Sequence, residues 1–176
     1  MKKAMINYMQ NKKHDHFDTP AYAVRPLLKY IKKEWVIWEP TDTTGKSEIA
    51  RVLRENGNIV ISTSKETFDF LTDVPNFEYD CIITNPPYTL KDQFIKQCFE
   101  TNKPWAMLLP LTALEGVKRG ELYSYWGLEL LVLDRRVEFT GGSVWFNTSW
   151  FCRGILPYNL HFAALKKERK HEAYIF

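Results

Sequence analysis

Four consecutive residues, Asn85-Pro86-Pro87-Tyr88, follow the short apolar run Cys81-Ile82-Ile83, which reads as a buried strand. The side-chain oxygen of Asn85 and the backbone carbonyl of Pro86 are both hydrogen-bond acceptors. Consecutive prolines lock φ on both sides of that carbonyl and hold it in one direction. Two fixed acceptors suit an amine that is a poor nucleophile because its lone pair is delocalised into a ring. They would draw its hydrogens toward a tetrahedral arrangement and face the lone pair at an electrophile, which favours the transition state over the ground state. Tyr88 adds a face on which a planar base could stack, worth roughly 1–3 kcal/mol. No covalent nucleophile is needed. The plain alternative is a turn built from the turn formers Asn and Pro; four specified positions behind an apolar strand and Asp80 weigh against it.

Such a tip must be held by a scaffold, and the rest of the chain reads as one. Thr19 and Pro20 open a helix over "DTPAYAVRPLLKYI", as cap and first helical residue, with Pro26 kinking or restarting it. "EWVIWEP" is a strand stopped by Pro40. "KSEIARVLRENG" is a helix ended by Gly57. "NIVIST" and "CIITN" are the next strands, "KDQFIKQCFETN" an amphipathic helix, and "PWAMLLP" a fourth strand. "KRGELYSYWG" is a short helix or turn, and "LELLVLDR" and "SWFCRGILP" are the last two strands. Alternation of strands and helices predicts an α/β domain with a mainly parallel sheet. No helical segment separates the last two strands, so they are expected as an antiparallel pair at one edge. Ligands in such folds bind at the carboxyl ends of the strands. Two of those ends, Glu39-Pro40 and Asn85-Pro86, carry unusual chemistry.

A strand ending in Asp/Asn/Ser-Pro-Pro-aromatic resembles the catalytic motif of S-adenosylmethionine-dependent amino-methyltransferases, the N6-adenine DNA methyltransferases above all. "NPPY" matches at every defined position, and the order of a "TP" helix, a Glu-Pro strand, "DFL" and "NPPY" agrees over residues 18 to about 157. The chain looks most like small, phage-borne versions. The resemblance implies a Rossmann-like class I fold, truncated here: only ten residues separate Asp69 from Asp80, too few for the strand and helix usually found there. It implies residues 1–17 as a basic N-terminal arm, 18–157 as the catalytic domain and 158–176 as a basic C-terminal tail. Asn85, Pro86, Pro87 and Tyr88 would be catalytic, with Tyr88 stacking on a base swung out of its duplex.

On the cofactor side the resemblance implies S-adenosylmethionine held by Glu39, Pro40, the loop position Thr43, Gly45, Ser64, Asp69, Phe70 and Asn85. Two landmarks depart from the family. Thr43 replaces the first loop glycine, where a β-branched residue narrows the space and stiffens the loop. Ser64 or Thr63 stands where an acidic residue would grip the ribose hydroxyls, with Glu66 slightly late. Asp69-Phe70 matches the element that receives the cofactor's adenine. Lys118, Arg119 and Arg136 are candidate contacts to a nucleic-acid substrate, and Phe139 and Trp145 candidate far walls of the base pocket.

Other signals exclude more than they assert. The formal net charge of +3 is a weak argument for a polyanionic partner, although lysines and arginines crowd both ends. "TTGKS" has Pro40 where a phosphate-binding loop needs its leading glycine, and the His14–His16 run lacks partner ligands, so neither nucleotide hydrolysis nor a metal is expected. Three dispersed cysteines read as buried thiols, and no apolar run approaches the roughly 18 residues of a membrane span, so a cytoplasmic protein of a bacterial or phage-infected cell is expected. No stretch is long enough for a target-recognition segment. The resemblance implies nucleic acid as the partner, DNA ahead of RNA, with little sequence preference or with recognition borrowed from a protein partner. The rival reading is a degenerate fold kept as a nucleic-acid- or host-protein-binding module. A third is methylation of a glutamine amide, which changes only the acceptor.

Overall fold

The computed structural model describes residues 18–139 and 146–166. Seven strands form one sheet: β1 (Val36–Glu39), β2 (Ile59–Ser62), β3 (Cys81–Thr84), β4 (Trp105–Pro110), β5 (Glu129–Leu133), β6 (Thr148–Arg153) and β7 (Leu160–Ala163). Their order is β2-β1-β3-β4-β6-β5-β7. The first four are parallel neighbours. β6 runs antiparallel to both β4 and β5. This is the mainly parallel α/β sheet expected, with the antiparallel pairing of β5 and β6 toward one edge and β7 outside it. From β1 the chain goes to β2 on one side and β3 on the other, so a crevice opens between the carboxyl ends of β1 and β3.

The helices follow the sequence with two adjustments. α1 is only Ala21–Val24; Pro26 then sits in the first turn of a 3-10 segment, Arg25–Tyr30. No side chain caps α1, and Thr19 is engaged elsewhere. α2 (Glu48–Glu55) is capped by Ser47, whose hydroxyl accepts from the Ala50 N–H, and buries Ile49, Ala50, Val52 and Leu53. α3 (Lys91–Glu100) buries Phe94, Ile95, Cys98 and Phe99. "VKRGELYSYW" is a full helix, α4 (Val117–Trp126), with no buried residue. All three cysteines are buried and unbridged, and burial pushes their thiols upward. Among the described residues no helix is long and apolar enough to cross a membrane.

β7 corrects the expectation of a tail from residue 158. It pairs in parallel with β5. Two carboxylates hold it there. Glu129 accepts from the backbone of Gly154, Ile155 and Leu156, and Asp134 from that of Leu165. The strand was unreadable because its pattern is inverted: Leu160 and Phe162 face outward while His161 and Ala163 face inward.

Between β2 and β3 the described chain has neither helix nor strand, as the short spacing implied. Aromatic rings replace them. Trp38, 1% exposed, meets Phe68, Phe70, Phe77 and Tyr79 edge-on at centroid distances of 5.0–5.7 Å. Its indole N–H donates to Thr63 Oγ1 at 2.9 Å. Trp38→Ala should cost about 3–5 kcal/mol in urea denaturation, the range for a large aromatic in a core that cannot collapse. A loss below about 1 kcal/mol would show that this cluster does not carry the segment.

Candidate functional site

β1 and β3 deliver their last residues side by side, and hydrogen bonds join them there. Glu39, at the end of β1, is 1% exposed. Its Oε1 accepts from the Thr41 N–H (2.9 Å), the Thr41 hydroxyl (2.7 Å) and the hydroxyl of Thr84 (3.0 Å), which ends β3. The two hydroxyl oxygens are themselves 2.7 Å apart. Three mutually close oxygens carry only two hydroxyl protons, so a proton on the carboxyl would complete the ring. Burial raises the Glu39 pKa to about 7, against the lowering pull of the hydrogen bonds from Thr41 and Thr84. Oε2 has no hydrogen-bond partner among the described residues. Glu39 therefore ties the β1 loop to β3, and it lines neither cavity described below.

The Asn-Pro-Pro-Tyr segment leaves β3 directly from this clasp. Asn85 is buried, and its amide Nδ2 donates to Thr19 Oγ1 at 3.0 Å. Pro86 is buried and Pro87 half-buried. Pro87 initiates the 3-10 turn Tyr88–Leu90 that leads into α3, accepting from the Leu90 N–H at 2.9 Å. Tyr88 is 4% exposed, and its ring meets Phe146 edge-on at 5.5 Å. The ring expected to receive a base is thus packed inside, and stacking on it requires Phe146 or its neighbours to give way. Trp145 lies outside the described residues.

Two cavities flank the loop after β1 and share Thr41. The larger, about 390 Å³, is lined by Thr19, Asp42, Lys46, Glu48 and Asn85 among others. The smaller, about 90 Å³, lies between Pro40, Thr43, Asp69, Phe70 and Phe94. Gly45 takes φ +68°, so this loop position does require glycine. Thr43 has no positive φ and stands exposed, so its β-branched side chain introduces no backbone strain. Asp42 went unnoticed in the sequence: it is 8% exposed, accepts from the Ser47 N–H at 3.0 Å through Oδ1, and leaves Oδ2 without a partner among the described residues. Thr19, Thr41, Thr84 and Lys46 were likewise missed as site residues. Nothing but its neighbours distinguishes a threonine here from a surface threonine.

The remaining expected residues divide. Phe70 is buried and stacked on Phe94 at 5.0 Å, forming one side of the small cavity. Asp69 also lines it, with Oδ1 accepting from the Leu71 N–H at 2.9 Å. Ser64 lines neither cavity; its hydroxyl turns to Thr67 Oγ1, 3.4 Å away, inside its own turn. Arg119 is committed to Asp92 and to the carbonyls of Ala113 and Glu115, which ties α4 to α3. Lys118 is exposed on α4, beside a different hollow. Arg136 is exposed and reaches Asn147 Oδ1, while Phe139 is a core residue, 4% exposed. His14–His16 lie outside the described residues.

Among solved structures the chain is similar to a protein from Listeria monocytogenes described as a class I S-adenosylmethionine-dependent methyltransferase: 14% identity, TM-score 0.52, covering 93% of this chain and 72% of that one. It is also similar to a predicted O-methyltransferase from Agrobacterium tumefaciens (13%, TM-score 0.43, 89% and 90%) and to a modification subunit assigned to a type I restriction enzyme of Vibrio vulnificus (12%, TM-score 0.47, 96% and 51%). No family model and no curated protein matches the chain. At such identities the first likeness speaks for the fold alone: a class I, Rossmann-like methyltransferase fold.

The buried Glu39 gives a pH dependence with a definite sign. Its folded pKa lies above the ordinary carboxylate value of 4.5, so the unfolded chain ionises first. Its contribution to stability is full below about pH 4.5 and is lost as pH rises to about 7. Wild type should lose on the order of 3 kcal/mol relative to Glu39→Gln between pH 4.5 and 8. Urea denaturation at both pH values measures it; an unchanged difference would assign the titration elsewhere.

Proposed function

We propose that the protein transfers a methyl group from S-adenosylmethionine to an exocyclic amine, with adenine N6 in DNA as the leading acceptor. The observation that carries this reading is the position of Asn85 and Pro86 at the carboxyl end of β3, beside the switch crevice, with the Asn85 amide held by Thr19. The cofactor fits in part. Asp42, with its orphaned buried oxygen, and Lys46 line the larger cavity together and suit a ligand end carrying both an ammonium and a carboxylate. Asp69 and Phe70 suit a planar ring, although the cavity beside them is small. A bidentate grip on ribose hydroxyls is missing, since Ser64 is turned into its own loop.

When bound, S-adenosylmethionine supplies an electrophilic methyl group on a positively charged sulfur. The work of the chain is positioning. Asn85 Oδ1 and the Pro86 carbonyl accept the two amine hydrogens and bring the lone pair out of conjugation with the ring. Asn85 Oδ1 is buried, so a substrate amine would reach it only after neighbouring groups give way, and the Pro86 carbonyl would then serve beside it. Neither is basic at neutral pH, and the surplus proton of the methylated amine passes to water. A base must unstack to reach them, which costs a few kcal/mol in a duplex and less in a single strand. Single-stranded or mismatched DNA should therefore be the better substrate.

The test pairs methyl transfer with cofactor titration. Wild type should bind the cofactor and label adenine-containing DNA. Asn85→Ala should lower the rate roughly 10²–10³-fold, as for loss of one preorganised catalytic hydrogen bond. Because Asn85 also lines the larger cavity, the variant's cofactor affinity by calorimetry should fall as well, but by no more than about 10-fold, less than the rate does. A variant as fast as wild type would sink the mechanism. A second reading, a degenerate fold that binds without chemistry, is favoured by the small cavity and the turned-in Ser64. Absence of cofactor binding at millimolar concentration, with and without DNA, would establish that reading instead.

A further inference from the structure

The outermost strand of the sheet uses one of its two edges. β7 follows β5 in parallel, and among the described residues no strand lies beyond it. The carbonyls of Asn159 and Ala163 accept from the backbone N–H groups of Leu130 and Asp134 at 2.8 and 2.9 Å. Backbone groups alternate in direction along a strand, so those of Leu160 and Phe162 point to the open edge. The side chains of the same two residues are 54% and 71% exposed and share one face. Residues 159–164 include no Lys, Arg, Asp, Glu or Pro, the residues that usually blunt an exposed edge.

We infer that β7 is an interaction surface for a second copy of this chain, paired antiparallel about His161 so that the two sheets continue into one. His161 stands between Leu160 and Phe162 and turns to the opposite face, where its Nδ1 lies 3.3 Å from the Tyr30 hydroxyl. In a pair centred on His161, Leu160 of each copy lies across from Phe162 of the other. These are the residues with open backbone groups, so each such pair exchanges both N–H···O bonds. Their side chains cover one another on the outer face, which exposed Ala164 extends. His161 then meets His161 of the second copy in the close, non-hydrogen-bonded kind of pair.

The neighbouring registers fit less well. Setting Leu160 or Phe162 opposite itself leaves the other apolar residue facing a position beyond the ends of β7 (Leu160–Ala163). A strand of other sequence would need apolar residues at two alternate positions and no charge between them. A copy supplies both by identity, and the contact is isologous and closes at two subunits. Paired strands of 4 residues bury less than the roughly 1,200 Å² of a stable interface, so the dimer is a weak one. β4, β5 and β7 run in one direction, so the strands of the second copy run in the other and the two crevices open at opposite ends of the joined sheet. Neither copy completes the other's site, and the inference stands independently of the proposed methyl transfer.

The test is the association state of the full chain. Sedimentation should show a reversible monomer–dimer equilibrium with a Kd on the order of 100 µM. Phe162→Lys sets a charge in both apolar pairs and should weaken association roughly 10-fold or more. Its circular dichroism should match wild type, because the side chain is exposed. All three native cysteines are buried, so a new thiol reports on its own position. With oxidised glutathione, His161→Cys should form a disulfide-linked dimer, since the Cα atoms of a non-hydrogen-bonded pair lie about 4.5 Å apart, within the span of a disulfide. Ala163→Cys lies on the same face but opposite Asn159 of the second copy, and should not cross-link.

A chain still monomeric at about 1 mM would overturn the inference and leave the edge to another occupant, residues 167–176 or a foreign strand. Association as strong in Phe162→Lys as in wild type would overturn it by placing the contact elsewhere. Equal cross-linking at positions 161 and 163 would overturn the pairing about His161.

Discussion

A buried carboxyl between two threonines organises the crevice. Glu39 closes β1, Thr84 closes β3, and Thr41 begins the loop between them and the cavities. Their oxygens lie within hydrogen-bond distance of one another, and both strand ends are drawn to one point. Parallel strands have no hairpin to fix their relative position, so contacts at their carboxyl ends carry added weight. An unpaired, ionised carboxylate at this depth would cost several kcal/mol, and the raised pKa is the protein's way around that cost.

The second constraint is economy. Where class I folds spend a strand and a helix, this chain has a stretch of irregular backbone between β2 and β3. Irregular backbone buries little by itself, and the aromatic share of 15% answers that deficit. Phe68, Phe70, Phe77 and Tyr79 close around Trp38, each giving large apolar area for few residues. Phe70 does two things at once: it seals this cluster and, stacked on Phe94, walls the small cavity. A ligand ring entering there meets a surface already held rigid by packing.

The two sides of the crevice are unequally prepared. At Asn85 the side-chain Nδ2 donates to Thr19 and the backbone carbonyl accepts from the Thr41 hydroxyl of the clasp. On the side of Asp69 and Ser64, side-chain oxygens are taken by nearby turns. Tyr88 is closed against Phe146. The two sides thus differ in how their polar groups are engaged: Asn85 is tied to distant elements, while Asp69 and Ser64 are tied within their own turns. In free-energy terms, a ligand that had to displace Phe146 or open the small cavity would bind more weakly than in a fully open site.

The amino-acid sequence by itself determined the strands β1 to β6, the helix faces, the shortened segment before β3 and the Asn-Pro-Pro-Tyr tip. All of these follow from local periodicity, proline geometry and turn chemistry, which act over a few residues. Only the tertiary structure decided that Thr19 serves Asn85 rather than its helix, that Glu39 joins the ends of β1 and β3, and that Arg119 binds Asp92 rather than facing outward. It also decided β7, whose apolar residues point outward and whose place depends on Glu129 and Asp134. A side chain's hydrogen-bond partner can lie dozens of residues away, and a threonine or an acid looks the same in sequence whichever partner it finds. Burial decides between them, because a polar group removed from water must take the partner that the fold brings within reach.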